Sequence, residues 1–144
     1  MTDKEFEYLN ELKSMCNSIK DDFNREIFNI VCCRFQGFKT SNTISKLVSK
    51  EYIINELINS GYLQRKNDGS LPDDRKVRAA ARQLLQGGLP IVATSNSKGY
   101  FIAEEPQEID TPQRQNHKRA MALLEVDKAY NGIRQRLMGQ GRIY

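Results

Sequence analysis

Arg75, Lys76, Arg78 and Arg82 fall within eight positions, and their spacing decides what they can do together. On a helix, which turns about 100° per residue, Arg78 lies about 60° and Arg82 about 20° from Arg75. Ala79 and Gln86 share that face, and Lys76 and Gln83 sit beside it. Val77, Ala81 and Leu84 gather on the opposite side, with Leu85 at their edge. Such a helix packs one side on a core and shows guanidinium groups to an anion. Arg pairs bidentately with phosphate oxygens or with a guanine edge, and a small residue such as Ala79 permits close approach. Asp73 and Asp74 precede the cluster. They suit a helix start but repel phosphate; the alternative is that they orient Arg75 or Lys76 or accept from a cytosine amino group. Lys98, in a predicted tight turn downstream, and Arg65 and Lys66 upstream supply further cations.

Nothing else in the chain has the pattern of a reaction centre. His117 is the only histidine, and its neighbours Gln115, Asn116, Lys118 and Arg119 include no carboxylate. Cys16, Cys32 and Cys33 are odd in number and lack C-x-x-C spacing, which points to free thiols rather than a disulfide or a zinc site. The paired carboxylates Asp21-Asp22, Asp73-Asp74 and Glu104-Glu105 sit at predicted helix ends or connectors, where capping accounts for them. A phosphate-binding glycine loop, G-x-S-x-G and H-E-x-x-H are all missing. The expectation is a non-enzyme with no catalytic residues, no cofactor and no metal.

The 144 residues suffice for one domain with its own core. No apolar run approaches the ~20 residues of a membrane span, and the N-terminus carries no apolar signal segment. A cytoplasmic location with no membrane contact is expected. The net charge is +4, unevenly spread. Residues 1–35 hold 5 Lys+Arg against 7 Asp+Glu, while residues 73–103 hold 5 against 2. The basic charge is therefore densest around the Arg cluster, which points to an anionic partner.

Hydrophobic spacing sets the elements that must position this cluster. Phe6, Leu9, Leu12, Cys16, Ile19, Phe23, Ile27 and Ile30 recur every three or four residues, which predicts helix over 3–35. Asp21 or Asp22 is placed to start a second helix from Phe23 to Phe35, and Gly37 to end it. A helix capped by Thr43 or Ser45 follows, with Ile44, Leu47, Val48, Tyr52, Ile53, Leu57 and Ile58 on its apolar side and Gly61 at its end. Tyr62–Lys66 has the composition of a short strand, and Asn67-Asp68-Gly69-Ser70 that of a turn. The basic helix runs from Asp73 or Asp74 to Gln86 and stops at Gly87-Gly88. A hairpin follows: Pro90–Ser95, a turn at Asn96-Ser97-Lys98-Gly99, and Tyr100–Ala103. Thr111-Pro112 begins a last helix reaching about Met138, closed by Gly139 and Gly141. Its apolar residues Ala120, Leu123, Val126, Tyr130, Ile133 and Leu137 form a seam.

Asp74-Arg75-Lys76-Val77-Arg78, Leu84-Leu85, Gly88-Leu89-Pro90-Ile91, Thr94-Ser95 and Gly99-Tyr100-Phe101-Ile102 together resemble a winged-helix segment common in bacteriophage and prophage proteins. The match covers roughly residues 73–103, and residues 62–72 make a longer turn than that pattern carries. The resemblance implies a recognition helix beginning at Asp74 and a wing made by the Pro90 and Gly99 strands. It implies a role in transcription regulation or replication initiation.

The fold class expected is mainly α with a small β-hairpin. A winged helix-turn-helix core spans residues 40–104, with an N-terminal helical extension (1–39) and a C-terminal helix (105–144) as a dimerisation element, all in one compact unit. The expected partner is double-stranded DNA. Arg75, Lys76, Arg78 and Arg82 enter the major groove, Lys98 touches the backbone from the wing, and Arg65 and Lys66 flank as phosphate contacts. Arg134, Arg136 and Arg142 are a solvated face or further phosphate contacts. A homodimer through the C-terminal seam is one expectation for that helix, and packing on the N-terminal helix is the other. The rival reading is a protein-binding module that grips and inhibits a host protein through the acidic first helix and the seam. In a variant of the main reading, a host or phage replication partner docks on the terminal helices while the wing holds DNA.

Overall fold

A computed structural model describes residues 1–41, 45–94 and 98–139. Its elements run α1 (Asp3–Ser18), α2 (Asp22–Ser41), β1 (Val48–Ser49), α3 (Lys50–Asn59), α4 (Arg75–Gln86), β2 (Ile91–Ala93), β3 (Gly99–Ile102) and α5 (Gln107–Gly139). The protein is mainly helical with a small three-stranded antiparallel sheet in the order β1-β3-β2. No helix among the described residues is long and apolar enough to cross a membrane. The readings placed on Thr43, Ile44, Ser95, Asn96, Ser97, Gly141 and Arg142 lie outside the described residues.

The predicted division of the first helical stretch occurs. Thr2 Oγ1 accepts from the Glu5 N–H at 3.2 Å to cap α1, and Asp21 Oδ1 accepts from the Asn24 N–H at 2.9 Å to start α2. Gly37 does not end α2, which continues to Ser41. The hydroxyls of Thr40 and Ser41 donate back to the carbonyls of Gln36 and Gly37 at 2.9 and 2.8 Å, so the last turn finds its own partners.

The helix predicted across 44–58 is shorter than its apolar spacing suggests. Val48 and Ser49 form β1, pairing with Tyr100 and Gly99 of β3. Ser49, not Thr43 or Ser45, caps α3, its Oγ accepting from the Tyr52 N–H at 3.1 Å. A two-residue strand carries no periodic signal. Val48 fitted the helical spacing because it is buried, and it is buried in a sheet. Leu47, assigned to the apolar face, is exposed. Tyr62–Lys66 is also not a strand. The N–H groups of Tyr62 and Leu63 both turn back to the Leu57 carbonyl, at 2.8 and 3.2 Å. The predicted turn after it is present, with Asp68 Oδ1 accepting from the Ser70 N–H at 3.0 Å.

The basic helix stands where its residues indicated, and both strands after it are present but differ in bounds. β2 is confined to Ile91–Ala93 within the predicted Pro90–Ser95, and β3 begins at Gly99, in the predicted turn, and ends at Ile102. Gly88 at φ +88° ends α4, letting the Leu89 N–H reach the Leu84 carbonyl at 3.1 Å. In the hairpin, Ile91, Val92 and Ala93 face Ile102, Phe101 and Tyr100. Pro90, just before β2, contributes only its carbonyl, which accepts from the Ala103 N–H at 2.9 Å.

The core lies between α1, α2, α3, α4 and the sheet. Its fully buried members include Ile27, Phe28, Val31, Phe35, Val48, Ile53, Leu57, Val77, Ile91 and Ile102. Four of these belong to α2, and Leu9 and Leu12 of α1 join the same cluster, so both N-terminal helices pack into the core. The α5 helix begins at Gln107, four residues before the predicted Thr111, and Pro112 sits inside it. Glu108 explains the early start. Its Oε1 accepts from the N–H groups of Glu104 and Glu105 at 2.9 and 3.0 Å, satisfying donors ahead of the helix. None of α5's described residues is buried, so the expected packing of its seam on the N-terminal helix does not occur.

Candidate nucleic-acid interface

The α4 helix exposes Arg75, Lys76, Arg78, Ala79, Arg82 and Gln86, and buries Val77, Ala80, Ala81 and Leu84. The separation of faces needed by the wheel argument is therefore present, with Ala80 added to the buried side. Val77 and Leu84 lock the helix against the core. The rotation of the three arginines about the helix axis is thus set by packing rather than by their own contacts.

Asp74 organises the foot of this helix. It makes no side-chain cap, and the Asp73 carboxylate instead accepts from the Arg75 N–H at 3.1 Å. Asp74 Oδ1 accepts from Arg78 Nε at 3.2 Å, and its other oxygen lies 3.7 Å from Lys50 Nζ. Its partner is Arg78, not Arg75 or Lys76 as its position suggested. Among the described residues, Arg75, Lys76 and Arg82 have no carboxylate within ion-pair distance. Gln83 is tied to α2, accepting from Asn24 Nδ2 at 2.9 Å.

The hairpin end is bound to the same corner. The Lys98 carbonyl accepts from the Lys50 N–H at 3.0 Å, and the N–H groups of Lys98 and Gly99 donate to Thr94 Oγ1 at 3.1 and 3.2 Å. Burial raises the Tyr100 phenol pKa, with the Asp74 charge adding to the rise and Arg78 opposing it. Tyr100 on β3 therefore stands close to the foot of α4. Gly99 makes the junction possible: a Cβ there would meet the Val48 carbonyl oxygen at 2.2 Å. So Lys50, Asp74, Arg78 and the Lys98 backbone form one connected corner.

Arg65 and Lys66 are not part of that corner. Arg65 donates to the Gly69 carbonyl at 3.0 Å and to Asn55 Oδ1 at 3.5 Å, bracing the connector between α3 and α4. The Lys66 backbone N–H donates to the Ser70 carbonyl at 2.9 Å, and its side chain is exposed. Lys50 was missed from the sequence because it fell in the middle of a predicted helix. The true start of α3 places its ammonium beside the α4 foot, while the Lys50 and Tyr52 N–H groups at that start are taken by the Lys98 carbonyl and Ser49 Oγ. The strand that moves this start, Val48–Ser49, left no readable signal.

The remaining polar candidates serve the scaffold. Lys46 pairs with Glu108 and lies 3.5 Å from Glu104, while Lys39 reaches Glu104 at 2.5 Å, so these two lysines fasten the base of α5 to the body. Burial pushes the Cys32 and Cys16 thiols up, away from the thiolate, and Cys33 and His117 are exposed. Among the described residues no group of three or more His, Cys, Asp or Glu is placed to hold a metal ion. No family model, no curated protein and no solved structure matches this chain.

Proposed function

We propose that this protein binds double-stranded DNA, with α4 as the recognition helix of a winged helix-turn-helix formed by α2 through β3. The observation that carries the reading is the exposed Arg75, Arg78 and Arg82 face of α4, backed by buried Val77, Ala80, Ala81 and Leu84. The element order from α2 onward, α-β-α-α-β-β with strand order β1-β3-β2, suits a winged helix and supports it. In this reading the N-terminal half of α4 enters the major groove, where a helix fits and arginine reads guanine. Lys98 and Lys50, at the hairpin end and the start of α3, take backbone phosphates. Lys66 is a flanking phosphate contact, and Arg65 contributes by holding the connector. The role implied by the resemblance is transcription regulation or replication initiation in a phage or mobile-element setting.

The test is the pair Arg78→Ala with Arg82→Ala, measured on duplex DNA by fluorescence anisotropy. Affinity falls at least tenfold, about 1.4 kcal/mol, while the melting temperature stays within a degree or two because both side chains are exposed. Unchanged affinity would remove α4 from the interface.

A further inference from the structure

Beyond Arg119, α5 carries Leu123, Val126, Tyr130, Ile133 and Leu137 at steps of three and four. They are 69, 52, 68, 43 and 50% exposed. The steps average 3.5 residues, the repeat of a coiled-coil seam, with Leu123, Tyr130 and Leu137 in one core position and Val126 and Ile133 in the other. Glu125, Lys128, Asn131 and Gln135 fall on the outer face. The five seam residues present roughly 500 Å² of apolar surface, as much as the largest patch on a typical monomer. Leu124 and Met138, also more than half exposed, share Asn131's position on the outer face, so the seam rests on the five residues alone and falls short of the ~800 Å² per partner of a standard interface.

We propose that a second copy of this chain covers this seam, and that the two α5 helices run antiparallel. The flanking charges choose both the occupant and the direction. The positions beside the seam are Asp127 and Arg134 on one side, and Ala122, Ala129 and Arg136 on the other. In a parallel pair each side faces the opposite side of its neighbour, five residues on. Ala122 then meets Asp127 and Ala129 meets Arg134, so no opposite charges meet. In an antiparallel pair like sides face each other. Setting Val126 across from Leu137 and Tyr130 across from Ile133 puts Asp127 against the second copy's Arg134, and symmetry repeats the contact. Ala129 then faces Arg136, and no like charges meet. The seam is complementary to itself in this one direction.

The bodies then sit at the two ends of a rod. By helical rise, the two Pro112 positions lie about 60 Å apart. On the DNA-binding reading, the two recognition helices reach well-separated half-sites rather than adjacent ones. The dimer itself does not rest on that reading, and its test uses no DNA.

The test is light scattering on the full chain over a concentration series, with expected dissociation on the order of micromolar from so short a seam. Tyr130→Asp with Ile133→Asp gives a monomer at every concentration and leaves the melting of the body unchanged, since neither residue packs on it. Asp127→Arg alone and Arg134→Asp alone each weaken dimerisation about tenfold. The two combined in one chain, or an equimolar mixture of the two single variants, restore it. A wild-type chain that stays monomeric overturns the proposal and leaves the seam to a different protein. A dimer that survives Tyr130→Asp with Ile133→Asp overturns it as well. Failure of the charge swap to restore association overturns the antiparallel arrangement.

Discussion

A carboxylate at the foot of a basic helix works against phosphate unless cations occupy it. Asp74 is held by both Arg78 and Lys50. Its charge is partly neutralised, and it fixes the Arg78 guanidinium in return. Asp74→Asn should therefore free both cations and remove one repulsive charge. The expected result is several-fold tighter binding to random duplex DNA with a smaller gap between specific and random sites, read by anisotropy on both. Weaker binding to both would mean that the position of Arg78 matters more than the net charge. Gly99 makes the other residue-scale prediction. A methyl group there would have to displace the Val48 carbonyl, which is backbone and cannot swing aside. Gly99→Ala should cost more than about 2 kcal/mol in chemical denaturation, and a loss near zero would mean that β1 is not held against β3.

Element by element, legibility followed the length of the pattern. The α4 helix was readable to within a residue or two because apolar spacing, acidic start and double-glycine stop agree. The hairpin was readable because β-prone runs flank a glycine-containing turn. Val48–Ser49 was not, since two residues have no period and Val48 satisfies a helical spacing equally well. The start of α5 was displaced because Thr111-Pro112 is a strong local start signal, whereas the actual start depends on Glu108 folding back and pairing with Lys46. That pairing makes a pH prediction. Burial alone would raise the Glu108 carboxyl, but Lys46 and the two backbone N–H groups outweigh it and hold its pKa below the usual range. A lowered folded value means that Glu108 adds stability above the ordinary carboxylate pKa, and that this is lost as pH falls through the folded value. The melting temperature should drop below about pH 4. Glu108→Gln should start lower at neutral pH and converge with the parent on acidification. Further along α5, Gly132 stands in an exposed helix interior with nothing near its missing Cβ. Gly132→Ala should favour the helix there by about 0.5–1 kcal/mol, visible as added helicity by circular dichroism with the melting of the body unchanged.

For the whole molecule, the core and the exposed faces divide the work. The core from α1 to β3 buries its apolar residues and leaves the α4 arginines outside. Ion pairs from Lys39 and Lys46 fasten α5 at its base, while none of the described residues of its far half is buried. The site was partly legible. Wheel geometry identified Arg75, Arg78 and Arg82, whereas the engagement of Arg65 with Asn55 and the arrival of Lys50 beside Asp74 needed the tertiary arrangement. Binding to random duplex DNA at two salt concentrations tests the central claim most directly. Several phosphate contacts predict micromolar affinity at low salt that weakens on the order of a hundredfold between about 50 and 200 mM. Absence of binding at low salt, or binding indifferent to salt, would contradict a DNA role for the basic face.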